Sequence, residues 1–243
     1  PFFEKYLNFV YNQADLLLSP SQFAADRVKE IGVKKKILVQ SNGIDLTKFR
    51  RVEKRRKEFR EEYSIGKNEV LVGCVGLLSK RKGLDFFVEI AKRLPKLKFI
   101  WIGKNIYGRF LKDYSYIEKI KKHHPSNLIL TGYVDDIIAA YSAMDFFLFP
   151  TRIETEGLVV LEAACSDIPI ITSRVRGLDW FEEGKHCLKA SGLDEYIKKL
   201  RYLKSNPSKA KKLVKESKKI VNKKNILFTT DQIINYYKKL IHP

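Results

Sequence analysis

The chain has 243 residues, of which 44% are hydrophobic, and a formal net charge of +19. This length and composition allow one large α/β domain or two small ones and exclude an intrinsically disordered chain. No apolar run approaches the roughly 18 residues that a membrane-spanning helix needs. The three cysteines lack the spacing of a metal or redox site, so we expect them to be buried and reduced.

The first third of the chain predicts a small α/β unit. We expect a strand at 15–19, a helix at 22–31 and a strand at 37–41. The turn-like sequence Asn-Gly-Ile-Asp follows at 42–45, where we place a hinge. A highly charged stretch, 50–62, then leads to the main sheet.

Residues 70–172 alternate between short apolar runs and helical stripes, which predicts a parallel α/β sheet with flanking helices. The predicted strands are short and rich in β-branched or aromatic residues, as buried parallel strands are; they lie at 70–75, 98–102, 128–131, 146–149 and 168–172. The predicted helices follow Gly83, begin at Asp135 or Asp136, span 158–165 and close the chain at 233–241.

The most informative motif is ETEGLVVLEA at 154–163, directly after a predicted strand. Gly157 opens a helix whose first amides lack intrahelical acceptors, so this helix start can bind a diphosphate. Glu162 lies about 7 Å further along the axis and can accept hydrogen bonds from a ribose diol. Glu154 can reach a sugar on the other side. A simpler interpretation is that these glutamates are a helix-dipole partner and a solvated side chain.

A second loop, 76–83, is bounded by glycines and carries three consecutive cations before a predicted helix. It lies at the carboxyl edge of the sheet, where α/β proteins bind ligands. Lys82 is placed to neutralise a phosphate there. A basic surface loop alone is a weak signal, but two loops that can bind phosphate in one domain support each other.

These loops resemble the GT-B glycosyltransferases, specifically the large fourth family of retaining enzymes, the glycosyl transferases group 1. The family's two glutamates separated by seven residues match Glu154 and Glu162. The Asn-Gly-Ile-Asp sequence at 42–45, Lys82-Gly83 and the Gly-Tyr-Val turn at 132–134 also match. The family's arginine after the first loop glycine is replaced here by Leu77, which shifts diphosphate binding towards the cations at 80–82.

The resemblance implies a fold and a set of roles. The fold is the Rossmann-like carboxy-terminal domain of a GT-B glycosyltransferase. Glu154 would be the catalytic residue that holds the donor sugar, Glu162 would hold the ribose, and the backbone near Val134 would hold the base. The full donor-binding set is Gly76, Arg81, Lys82, Val134, Thr155, Glu156, Gly157, Leu158, Val159 and Glu162. The donor would be a UDP- or GDP-sugar, with no metal and no other cofactor.

The resemblance also implies a domain organisation. We expect 1–42 to be a remnant of an amino-terminal acceptor domain, 43–224 to be the nucleotide-sugar-binding domain and 225–243 to return towards the acceptor domain. The chain begins at Pro1 without Met, which we interpret as the sign of an excised piece. Such a chain is expected to bind donor but to transfer little or nothing.

Three segments, 98–103, 154–163 and 183–190, are most similar to diacylglycerol glucosyltransferases. The acceptor would then be a membrane lipid such as diacylglycerol, and the alternative is a polysaccharide or lipopolysaccharide. The basic clusters at 48–60 and 198–224 suit an anionic membrane surface, although the charge could also be a compositional bias. We therefore expect a cytoplasmic protein, peripheral on the inner face of the plasma membrane.

Other classes of protein explain the sequence less well. A glycoside hydrolase needs two carboxylates about 5–9.5 Å apart across one bond, without a diphosphate site. A basic, non-enzymatic nucleic-acid-binding module explains the charge but not the two glutamates, and 198–224 contains a single aromatic residue, Tyr202. We expect no nucleic-acid partner. A nicotinamide-dependent enzyme lacks its Gly-x-Gly-x-x-Gly turn here.

Overall fold

The computed structural model describes residues 2–106, 108 and 113–241. The chain opens with helix α1 (Phe2–Gln13), followed by a two-stranded parallel sheet of β1 (Leu17–Ser19) and β2 (Ile37–Val39). Helix α2 (Gln22–Glu30) connects these two strands, and Ser21 caps it through a 3.1 Å hydrogen bond from the Ala24 amide. The two strands and the helix predicted for this part of the chain are confirmed, although both strands are shorter than predicted.

The main sheet has six parallel strands in the order β5-β4-β3-β6-β7-β8. Their bounds are β3 Leu71–Val75, β4 Lys98–Ile102, β5 Leu128–Gly132, β6 Phe146–Phe149, β7 Ile170–Ser173 and β8 Leu188–Ala190. The strand predicted at 168–172 begins two residues later, and β8 was not predicted. The predicted Rossmann-like α/β class is confirmed.

Eight further helices flank this sheet or close the described part of the chain: α3 Glu53–Glu62, α4 Leu84–Arg93, α5 Tyr114–Lys122, α6 Ile137–Ala143, α7 Leu158–Cys165, α8 Leu193–Ser205, α9 Pro207–Asn222 and α10 Ile226–Ile241. Asp136, rather than Asp135, caps α6 by accepting a 3.0 Å hydrogen bond from the Ala139 amide. The last helix is longer than predicted. None of the helices in these ranges combines the length and the apolar character that a bilayer crossing needs.

Aromatic side chains build the core between the main sheet and α4. The ring of Phe87 meets Phe99 edge-on at 5.5 Å and Trp101 edge-on at 5.3 Å, and all three side chains are buried. Such pairs add about 0.5–1.5 kcal/mol each beyond the area they bury. The packing holds α4, and therefore the loop that precedes it, against the sheet.

The strand order creates a switch point between β3 and β6. From β3 the chain adds β4 and β5 on one side, and it then returns to add β6, β7 and β8 on the other. Because all six strands are parallel, their carboxyl ends share one edge. Ligands of open α/β sheets bind in the crevice at such a point, which here lies between the loops after β3 and β6.

The charged stretch at 50–62 contains α3, and its arginines have partners at the end of α6 and in the turn before β6. Arg56 donates to the Asp145 carboxylate at 2.7 Å and to the Ala143 carbonyl at 2.6 Å. Arg60, which is buried, donates to the same carbonyl at 2.9 Å. Asp145 also accepts a 2.8 Å hydrogen bond from the Leu71 amide, so α3 is fastened to the first strand of the main sheet.

Two stretches of chain connect the six-stranded sheet to the rest of the molecule and run side by side. We call residues 40–44 and 224–226 the crossing segments. The Ile44 amide donates to the Lys224 carbonyl at 2.8 Å, and the Ile226 amide donates to the Ile44 carbonyl at 2.9 Å. The predicted hinge at 42–45 lies within this pairing, and its hinge role stays a prediction.

Candidate donor site

The loop after β3 is held in contact with the loop after β6. Ser79 caps a single turn of 3₁₀ helix by accepting a 3.2 Å hydrogen bond from the Lys82 amide. Gly83 ends this turn at φ 83°, a left-handed conformation that favours glycine. A Cβ atom at Gly83 would lie 1.9 Å from the Pro150 carbonyl oxygen. Glycine at this position therefore permits the two loops to meet.

Lys82 and Glu154 form an ion pair across the crevice. The Lys82 Nζ lies 2.6 Å from the Glu154 Oε2, and the two side chains are only 14% and 11% exposed. The same ammonium lies 5.3 Å from the centre of the Phe149 ring, at the end of β6. The two residues that sequence reasoning assigned to the phosphate and the sugar are thus brought together at the switch point.

The start of α7 faces this crevice with free backbone amides. Gly157 has φ 81°, and its Cα lies so close to Leu178 that a Cβ atom would be 2.5 Å from that side chain. The first intrahelical hydrogen bond runs from the Val160 amide to the Gly157 carbonyl at 2.8 Å. The amides of Gly157, Leu158 and Val159 precede it and are therefore available at the positive end of the helix.

Glu162 lies further along α7 and is half-buried. Its Oε2 accepts a 2.6 Å hydrogen bond from the Tyr141 hydroxyl. Burial raises the pKa of Glu162 above its ordinary value, and this effect outweighs the Tyr141 hydrogen bond and the charge of Lys48, which lower it. The carboxylate is therefore held in one orientation rather than turned into bulk solvent.

The Glu156 side chain contacts the crossing segments and does not point into the crevice. Its carboxylate accepts hydrogen bonds from the Ser41 hydroxyl, the Asn42 amide at 3.1 Å and the Asn42 side-chain nitrogen at 2.7 Å. Lys224 lies 3.3 Å away, and Glu156 is 1% exposed. A fully engaged carboxylate has no surface left for a donor, so we remove this side chain from the proposed donor set.

The other predicted residues lie around the crevice at different depths. Gly76 is beside Lys82, with 3.8 Å between the Lys82 Cγ and the position of a Cβ atom at Gly76. The Thr155 amide donates to the Glu154 Oε1 at 3.0 Å. Arg81 is exposed, and Val134 is half-buried beyond the end of β5.

Sequence reasoning missed the residues that support the site from behind. Tyr141 was interpreted as the end of a predicted helix and the start of a stretch, 141–145, that resembles the family, but not as the partner of Glu162 that the structure shows. Phe149 was read only as a strand residue, although its ring lies under Lys82. Each is an aromatic residue at the end of a predicted strand or helix, and this position could have indicated a supporting role. Within the described ranges, no three His, Cys, Asp or Glu side chains are grouped to hold a metal ion.

The architecture defines a class. A parallel sheet with one switch point, and an open helix start at the crevice there, are the features of a Rossmann-like ligand-binding domain. The family model described as glycosyl transferases group 1 matches residues 69–206, which is more than half of the chain. The chain belongs to that family, as the resemblance predicted.

Two curated relatives act on diacylglycerol lipids, according to their names. The chain is 35% identical over 202 residues to the processive diacylglycerol alpha-glucosyltransferase of Acholeplasma laidlawii, a match that covers 82% of this chain and 60% of that protein. It is 27% identical over 232 residues to the alpha-galactosylglucosyldiacylglycerol synthase of Streptococcus pneumoniae, covering 90% of this chain and 61% of that one. The chain thus spans about three fifths of the length of these relatives.

A solved structure supports the fold. The Anabaena protein HepE, crystallised in complex with UDP-glucose, is 18% identical and has a TM-score of 0.87, and the match covers 97% of this chain and 68% of that one. At this identity the likeness concerns the fold alone. The predicted fold, a Rossmann-like domain of the GT-B glycosyltransferase type, is confirmed.

Proposed function

We propose that this chain is the donor-binding part of a retaining glycosyltransferase that moves a hexose from a nucleotide diphosphate sugar to a lipid acceptor such as diacylglycerol. The observation that carries the proposal is the Lys82–Glu154 pair, which lies at the switch point beside the open start of α7. A lysine, a carboxylate and free amides converge there. This combination suits a diphosphate joined to a sugar.

Each group has a role in this proposal. The amides of 157–159 and the Lys82 ammonium bind the diphosphate, helped by Arg81, and Gly76 lets it approach the first loop. Glu154 holds the donor sugar, Glu162 holds the ribose, Thr155 lies beside the sugar, and the backbone at Val134 holds the base. Catalysis is then mainly positioning and stabilisation of the charge that develops on the leaving diphosphate.

The lipid acceptor is supported by the names of the two relatives described above, both of which concern diacylglycerol lipids. We further propose that the protein works peripherally at an anionic membrane on its cytoplasmic face, which the net charge of +19 supports. The acceptor groups would come mainly from residues outside 43–224, the range that we propose as the donor domain. A polysaccharide acceptor is the alternative.

Calorimetry tests donor binding directly. UDP, GDP and UMP are titrated into the 243-residue chain at low salt. We expect saturable heat with at least one diphosphate and binding at least about tenfold weaker for UMP, because it lacks the phosphate that Lys82 would neutralise. No heat with any nucleoside diphosphate would contradict the proposal.

The acceptor needs a separate experiment. UDP-glucose or UDP-galactose is supplied with diacylglycerol vesicles to a polypeptide that joins this chain to an acceptor-binding domain. Mass spectrometry then identifies the product. Hexosyl-diacylglycerol supports the lipid acceptor, whereas transfer only to added glycan supports the alternative.

A further inference from the structure

Glu156 connects the loop after β6, which we call the donor loop, to both crossing segments. The proposed donor chemistry does not explain this connection. It lies between Glu154 and Gly157 in the sequence, yet its carboxylate is bound to residues 114 and 115 positions earlier and to Lys224, 68 positions later. Its partners thus come from both crossing segments.

The main chain of Glu156 strengthens the same connection. Its carbonyl oxygen accepts a 2.9 Å hydrogen bond from the Trp180 indole nitrogen. The Lys224 ammonium lies 4.7 Å from the centre of the Trp180 ring, so the lysine is held by the carboxylate and the aromatic face together. The crossing segments are also bonded to each other through Ile44.

Because the charged groups in this arrangement are largely buried, each of them needs its partners. Glu156 is 1% exposed and the Lys224 side chain 17% exposed, so the charges are largely removed from water. A buried carboxylate is tolerated only where donors satisfy its oxygens, and breaking one contact leaves the others strained or unpaired. The loop that contains Glu156 and the crossing segments therefore cannot shift independently while these hydrogen bonds and the ion pair with Lys224 are in place.

We propose that Glu156 is a positioning residue that couples ligand binding at the start of α7 to the placement of the crossing segments. The inference rests on the proposed function, because the ligand at α7 is taken to be a nucleoside diphosphate. When a diphosphate binds at 157–159, this carboxylate changes the position of Ser41 and Asn42. These two residues lie where the small α/β unit joins the six-stranded sheet.

The test measures UDP affinity and the response of the crossing segments together, at a temperature where every variant is folded by circular dichroism. In the unaltered chain, saturating UDP should shift the amide resonances of Asn42 and Ile44. Glu156→Gln should weaken UDP binding by about fivefold or more, the low end of usual coupling factors, and abolish those shifts.

Ser41→Ala is the second variant, because it removes the hydroxyl that donates to Glu156 without burying a new group. It also removes the acceptor of a 3.2 Å hydrogen bond from the Gly43 amide, which lies in the same crossing segment. It should weaken UDP binding by about two- to fourfold, a smaller share of the same coupling. The matched control is Glu182→Gln, which removes the charge of an exposed glutamate paired with Lys185. The control should leave the UDP affinity and both resonances unchanged.

The possible results separate the two proposals. If the unaltered chain binds no nucleoside diphosphate, the proposed function fails and this inference fails with it. If UDP binds but Glu156→Gln and Ser41→Ala bind it equally well, the proposed function stands and the coupling is overturned. A lower melting temperature with unchanged UDP affinity and unchanged resonance shifts would likewise assign Glu156 a purely structural role.

Discussion

At the scale of single residues, the Lys82–Glu154 pair determines what a phosphate meets on entering the crevice. The ammonium is already neutralised by a carboxylate 2.6 Å away, and both side chains are mostly shielded from water. A diphosphate must therefore share or replace that partner. We therefore expect the two ends of this ion pair to have opposite effects on the affinity for a nucleoside diphosphate.

Substitutions at the two ends should reveal this opposition. Lys82→Met should weaken UDP binding by about 1.5–3 kcal/mol, the usual value of a charged hydrogen bond. Glu154→Gln should leave UDP binding unchanged or make it tighter, because it frees the lysine and removes a negative charge near the phosphates. Calorimetry measures both, with the exposed Lys185→Met as the control. Equal losses in both site variants would contradict the account.

Glu162→Gln should change both the pH dependence of the free energy of unfolding and the affinity for UDP. The pKa of Glu162 is raised by burial, so the folded chain binds this proton more tightly than the unfolded chain does. The free energy of unfolding should therefore decrease as the pH rises from about 4.5 to the pKa of Glu162 in the folded chain. Glutamine does not titrate, so the Glu162→Gln variant should lack the contribution of this group to the decrease. Urea unfolding at pH 4, 5.5 and 7 measures it.

The same variant should weaken UDP binding by about 1–3 kcal/mol through loss of hydrogen bonds from the ribose to a charged acceptor. Tyr141→Phe is the matched variant, since it removes the hydroxyl that orients Glu162. It should weaken UDP binding by a smaller amount. A Glu162→Gln chain that binds UDP normally would remove the ribose role.

Sequence reasoning proposed site residues that lie close to the end of a predicted strand, and it did not predict which distant residues would contact them. Lys82 and Glu154 could be proposed as site residues because each lies in a loop within a few residues of the end of a predicted strand. The engagement of Glu156 could not be predicted, since its partners are 114, 115 and 68 positions away. Nothing in the sequence around Glu156 indicates that its carboxylate is buried against these partners.

At the scale of elements, the contact between the loops after β3 and β6 depends on one glycine. Gly83→Ala should destabilise the chain by about 2–4 kcal/mol, because alanine is strained at φ 83° and its Cβ atom would overlap the Pro150 carbonyl. Chemical denaturation measures the loss. Gly192→Ala is the control, since no atom lies within 4 Å of its added Cβ atom and its φ is −144°. Equal stability of the two variants would contradict the contact.

Several elements were predicted because apolar side chains fill them. Strands β3, β4 and β6 were placed within one residue because nearly every side chain in them is apolar and buried. Helix α3 was missed because the only strongly hydrophobic side chain in it is Phe59; its arginines pack on Asp145 instead. That interaction spans more than 80 residues and leaves no periodic trace in the sequence.

At the scale of the whole molecule, the positive charge is concentrated on exposed helical surface. Lys211, Lys212 and Lys215 are exposed on α9, within the basic cluster at 198–224. Charges on such a surface interact with anionic lipid over a distance set by screening, so their effect must decrease with salt. The distribution is the basis for the proposed membrane partner.

The chain should sediment with anionic vesicles at low salt and be released as the salt concentration rises to about 0.5 M. Replacing Lys211, Lys212 and Lys215 by Gln should weaken this binding by up to about 3 kcal/mol, at roughly 1 kcal/mol per lysine near the surface. The matched control replaces the exposed 34–36 lysines by Gln. Equal loss in both triple variants would show that only total charge matters, and equal binding to neutral vesicles would contradict the prediction.

The central claim is that a diphosphate occupies the switch-point crevice, between the start of α7 and Lys82. A crystal structure of the chain with UDP tests it most directly. We expect phosphate oxygens about 2.7–3.2 Å from the amides of 157–159, with the Lys82 ammonium turned from Glu154 towards them. UDP bound at any other edge of the sheet, or bound here with the Lys82–Glu154 pair undisturbed, would contradict the account.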